Sequence, residues 1–252
     1  MWAKTAAIAL LMAASVTAQD DDAKKKDDEA KAKIAEFKKE LKGAKSDKDV
    51  VRALEGLGAL QHPKVLTEMK SYLTKTPDIA IAAAEQISKY KKDKEAAETL
   101  MAATGSRDKE VTVKCLRYAG DVEYKGIVPK LVGHFRHKEV DAAREAVDSC
   151  AKIRSKDSID PLLKLWIELD GIKEDKSNSG GGGGGLGGLG GGGITGTGGV
   201  GQSYQEEQLK RKSTLTPAVE SALRKITGED FKDLRAANDW WRKNKGTFKD
   251  PE

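Results

Sequence analysis

Apolar residues recur along this chain every three or four positions, in segments that themselves repeat. Val65, Met69 and Leu73 are followed by Ala96 and Leu100, then by Ile127, Leu131 and Phe135, then by Ile159, Leu163 and Ile167. The central residues Met69, Leu100, Leu131 and Leu163 are 31, 31 and 32 positions apart. Four-residue spacing places such side chains on one face of a helix. A second apolar helix precedes each segment: Ala53/Leu57/Leu60, Ala84/Ile87/Tyr90, Cys115/Ala119/Val122 and Val147/Cys150/Ile153. We term the earlier helix of each pair A and the later one B. Two helices per period of this length predict an all-α solenoid, whose hairpins bury their faces against their neighbours. No alternating β-branched run suggests a sheet.

The prolines agree with this division. Thr76-Pro77 and Thr216-Pro217 each place an N-cap residue before a first-turn proline, where the missing N–H costs nothing. Pro63, Pro129 and Pro161 fall at or near the starts of B helices. Solenoid ends need capping, because the terminal hairpins would otherwise expose core. Ile34, Phe37 and Leu41 form a stripe over residues 24–42 that predicts an N-terminal capping helix, Ile34 lying 31 positions before Val65. Thr216–Thr227 and Leu234–Lys243 predict a capping pair at the other end, with Trp241 on the core face and Trp240 at its margin.

The opening Asp49-Val50-Val51-Arg52-Ala53-Leu54, with Asp47 before it, resembles HEAT and phycobilisome-lyase-type HEAT-like repeats. Lys114 and Arg144 hold roughly the same basic position in later repeats, whereas the second repeat lacks it. The run Ala222–Phe231 followed by Trp240-Trp241 is similar to the ending of exported bacterial HEAT-repeat proteins. The repeat resemblance covers about residues 47–170 and implies HEAT-like hairpins there.

Residues 1–18 have the form of an export signal. Lys4 gives a positive start, Ala6–Val16 is apolar apart from Ser15, and Val16-Thr17-Ala18 supplies small residues for cleavage. The apolar run is too short for a mature membrane span, and an extracytoplasmic location follows. Residues 19–46 are expected to hold a charged segment, mobile around Asp20–Glu29, and then the capping helix. Residues 171–212 are expected to be a Gly-rich flexible insertion, because the sixteen glycines of 180–201 carry too few apolar side chains to repay their ordering entropy. The capping pair then occupies 213–247.

The 45 basic and 40 acidic residues, giving a net charge of +5, alternate closely along the chain. Nucleic-acid binding wants basic residues gathered on one face, so mixed charge argues against it and for solvated helix faces. Gly-x-Ser-x-Gly, a phosphate-binding Gly-Lys-Ser/Thr and a reactive-cysteine signature are all absent. His134 and His137 could share a helix face, but the sequence names no third metal ligand. Cys115 and Cys150 occupy repeat positions three residues apart, too far offset for a disulfide. No catalytic, cofactor or metal site is therefore expected. The expected function is protein binding by a non-enzymatic scaffold with an unidentified protein partner. Small residues at one B-helix position, Ser71, Ala102 and Gly133, would let that partner approach the backbone. Two other classes remain: an enzyme or chromophore handler, from the lyase-type resemblance, and a polyanion binder, from the pI of about 8.9.

Overall fold

A computed structural model describes residues 24–172 and 198–251. Every regular element among them is helical. Residues 24–43 form α1. It is followed by α2 (Asp47–Leu57), α3 (Pro63–Lys70), α4 (Pro77–Ile87), α5 (Lys94–Ala103) and α6 (Lys109–Val122). Next come α7 (Val128–Gly133), α8 (Val140–Ile153), α9 (Ile159–Asp170), α10 (Gly198–Thr227) and α11 (Leu234–Asn244). Short 3-10 turns extend α3 over Ser71–Thr74 and lead into α7 and α9. Helical hairpins pack on their neighbours in the manner of an α-solenoid, and the chain divides into two units, residues 1–124 and 125–252.

In the first unit the A helices α2, α4 and α6 pack in a row, with α3 against α4 and α5 against α6. The N-caps are chemical ones. Ser46 and Asp49 form a reciprocal capping box, and the carboxylates of Asp93 and Asp108 accept from the first turns of α5 and α6. Thr76 precedes Pro77 as expected, yet its hydroxyl makes no cap and donates instead to Asp47, at 2.6 Å. Phe37 is 2% exposed and meets Tyr72 edge-on at 5.4 Å, so α1 closes this end on α3. Lys24–Glu29, expected to be mobile, are helical. Asp27 draws them down by a 2.6 Å ion pair with Lys64, and Ala30 is fully buried.

In the second unit α10 packs along α8 and α9, and α11 packs on α9. Here the sequence reading needs three corrections. The helix does not start at Thr216-Pro217; α10 runs through Pro217 and begins at Gly198. The flexible insertion therefore does not reach residue 212, because Gln202–Lys212 is rich in helix formers and is tied down by tertiary contacts. Arg211 donates to the carbonyls of Phe135 and His137, and Lys212 donates to Ile172 O at 2.8 Å. Residues 173–197, most of the glycine segment, and the expected signal at 1–18 lie outside the described residues. Finally, Ile167 does not join the core stripe. It is 51% exposed, because α9 turns Trp166 (5%) and Leu169 (2%) inward.

Three of the four A-to-B turns share a feature that composition hides. Lys92, Glu123 and Arg154 all have positive φ, at 58°, 61° and 53°, and recur at 31-residue intervals. A side chain in the left-handed region costs about 1–2 kcal/mol that glycine avoids, partly offset by glycine's larger unfolded-state entropy. Glycine at each of these three positions is expected to stabilise the fold by about 0.5–1 kcal/mol. Urea midpoints of the single variants check this, and a lower midpoint in all three would reject the reading.

Candidate functional site

The sequence nominated one position on three B helices, and the structure leaves Ser71, Ala102 and Gly133 all exposed. Ser71 and Ala102 belong to the first unit and Gly133 to the second. Ser71 Oγ is turned back onto Glu68 O at 3.1 Å. Gly133 has most to offer, because it lines a cleft of about 390 Å³ between α7 and α9.

This cleft is the repeat made visible. One wall is Pro129, Val132 and Gly133 of α7 with Arg136 from the turn that follows, at helix-like spacing. The α9 wall is the same face 32 residues on, with Pro161 matching Pro129 and Lys164 matching Val132. Leu165 stands where the preceding helix has Gly133, and Glu168 where it has Arg136. The glycine supplies the depth, since one wall then has no side chain at that level. A Cβ built on Gly133 would meet nothing within 4 Å, so packing does not demand glycine here.

One end of the cleft is closed by charge. Arg136 Nε donates to Glu168 Oε2 at 3.1 Å, and its Nη2 donates to Oε1, a two-pronged pair. The hydrogen bonds from Arg136 hold the Glu168 carboxyl below its ordinary pKa, against the opposing effect of burial. Lys164, exposed on the facing wall, makes no ion pair among the described residues. Arg211 of α10 fixes the backbone on either side of Arg136 through its hydrogen bonds to Phe135 O and His137 O. The sequence reading missed Arg211 because it placed that residue in the insertion.

A second groove, of about 510 Å³, was not foreseen and lies on the A helices of the first unit. Its α2 residues Lys48, Val51, Arg52 and Glu55 are matched 30 positions later by Asp78, Ile81, Ala82 and Glu85 of α4. Glu110 and Lys114 of α6 complete it. In the sequence these charges read as an ordinary solvated face.

His134 and His137 do come together, ring centroids 5.8 Å apart and 26° from parallel. Burial, and then the neighbouring His137, lowers the pKa of His134. His137 Nδ1 accepts from Glu139 N at 3.1 Å, a backbone role at the start of α8. His62 acts similarly, its Nδ1 capping α3 through Lys64 N. No group of three or more His, Cys, Asp or Glu suited to a metal occurs among the described residues. Cys115 and Cys150 are free and buried, and burial pushes both thiols up to about 12, far from the range of a reactive thiolate. No described helix is long and apolar enough to cross a membrane. Compared with known proteins, the chain matches no protein family and no curated sequence.

Proposed function

We propose that this chain is a non-enzymatic, HEAT-like scaffold that works outside the cytoplasm and binds a protein partner through its B helices. The observation that carries this reading is the cleft between α7 and α9, where equivalent faces of two B helices leave an open surface around Gly133. The exposure of Ser71 and Ala102 at the matching B-helix position supports it. Export is supported by the character of residues 1–18, and the HEAT-like assignment by the Asp49–Leu54 and Ala222–Trp241 resemblances.

The test is capture of a partner from the native envelope fraction, paired with thermal unfolding of each variant. Gln at Ala102 and at Gly133 is expected to weaken capture while shifting stability by no more than about 0.5 kcal/mol, as exposed substitutions do. Ala at His134 or His137 is expected to leave capture intact. Undiminished capture by stable Ala102 and Gly133 variants rejects this face. Loss of activity from either histidine change alone replaces the scaffold reading with a chemical or metal site.

A further inference from the structure

The charges of the α7–α9 cleft do not cancel, and the imbalance has a sign. Its one carboxylate, Glu168, is already engaged by two N–H groups of Arg136. A guanidinium carries five N–H donors in all, so Arg136 keeps donors to spare. Lys164, on the facing wall, lies near Asp160, but that carboxylate already accepts from Trp241 and Lys245, and Lys164 forms no ion pair among the described residues. Beside these cations the cleft is apolar, with Val132 and Leu165 flanking the space that Gly133 leaves. The groove on the first unit has the opposite balance: it sets four carboxylates against three cations.

We propose that the cleft takes a short acidic segment of a partner protein. The segment places an Asp or Glu carboxylate between Lys164 and the spare N–H groups of Arg136. A neighbouring aliphatic or aromatic side chain enters the space over Gly133. The cations set orientation and discriminate against basic partners, while burial of the apolar side chain supplies most of the affinity. The proposal rests on the scaffold reading and adds the chemistry of what is bound.

The probe is a random nonapeptide phage library panned against the full chain, with enriched peptides then measured by fluorescence anisotropy. Enriched sequences are expected to carry an acidic residue beside a large apolar one. Two variants locate the binding. Gly133→Trp fills the cleft from a position with open space above its Cβ, and Lys164→Glu reverses the unpaired charge. Each is expected to weaken peptide binding about ten-fold or more, the loss typical of a central interface contact, with helical circular dichroism and melting unchanged. Lys164→Arg, which keeps the charge, is expected to retain binding.

Enrichment of basic or uncharged peptides overturns the proposal, as does equal binding of acidic peptides by a folded Gly133→Trp variant. Heparin that binds through Lys164 while no peptide is enriched also overturns it, in favour of a polyanion surface. The two levels fail separately. Capture from the envelope fraction that depends on Ala102 and Gly133, without acidic-peptide enrichment, keeps the scaffold and removes the acidic ligand. Loss of both removes both.

Discussion

Replacing Trp241 with Ala is expected to cost about 3–5 kcal/mol, the range for truncating a buried large aromatic side chain. Trp241 is 6% exposed and makes two kinds of contact, ring packing within the C-terminal segment and a hydrogen bond to α9. Its ring stacks on Trp240, with centroids 6.3 Å apart, and meets Phe248 edge-on at 5.9 Å. Its Nε1–H donates to Asp160 Oδ1 at 2.8 Å, and Lys245 holds Oδ2 of the same carboxylate at 2.7 Å. Burial alone would raise the pKa of Asp160, but these two donors, with the nearby charge of Lys164, outweigh it and hold the carboxyl below its ordinary value. Because the folded pKa is depressed, Asp160 contributes stability above about pH 4 that is lost as pH falls through the folded value. Trp241→Phe keeps an aromatic ring in the site but loses the N–H donor and the five-membered half of the indole. It is expected to cost about 1.5–3 kcal/mol, the worth of a hydrogen bond to a charged group, and to reduce the acid sensitivity of unfolding. Urea titrations of both variants at neutral and acid pH check this. Equal losses from Phe and Ala would assign the role of Trp241 to the indole N–H rather than to packing.

Much of this architecture was legible because it is periodic. The stripe Ile127/Leu131/Phe135 gave a helix and its buried face together, and all three side chains are 3% exposed or less. Phe37 and Trp241 could be placed in the core for the same reason. Legibility stopped where single residues override the period. Ile167 fits the four-residue spacing, but Trp166 and Leu169 bury more area and rotate the helix face away from it. The turns at Lys92, Glu123 and Arg154 adopt a glycine conformation without glycine, so residue type gave no sign of them. The start of α10 was obscured because its first residues belong to the glycine segment and its anchor, Arg211, acts only through distant carbonyls. Of the candidate site, the exposure of Ser71, Ala102 and Gly133 was readable. The cleft was not, since it depends on Gly133 facing the level of Leu165 rather than on either residue alone.

Gly58 is expected to be the least replaceable glycine of the first unit. It ends α2 with φ −70°, an ordinary conformation, so its requirement is one of space rather than backbone freedom. A Cβ added there would stand 2.5 Å from Gln86 Oε1 and 2.6 Å from both Cβ and Cγ of Gln86. The Oε1 contact could be relieved by turning the amide, but the Cβ of Gln86 is fixed by α4, and Gln86 is only 2% exposed. Since α2 and α4 are neighbours in the A-helix row, the added methyl must push the two helices apart. Gly58→Ala is therefore expected to cost about 1–3 kcal/mol, the range for overpacking a filled core, and Gly58→Val more. Gln86→Ala removes two of the three close contacts and leaves the Cβ one. The double variant Gly58→Ala/Gln86→Ala should then lose less than the sum of the single losses, with a coupling of about 0.5 kcal/mol or more. Urea unfolding of the four proteins gives the cycle. Strict additivity would show that the α2–α4 spacing relaxes without involving Gln86, whereas a wild-type midpoint in Gly58→Ala would remove the close approach altogether.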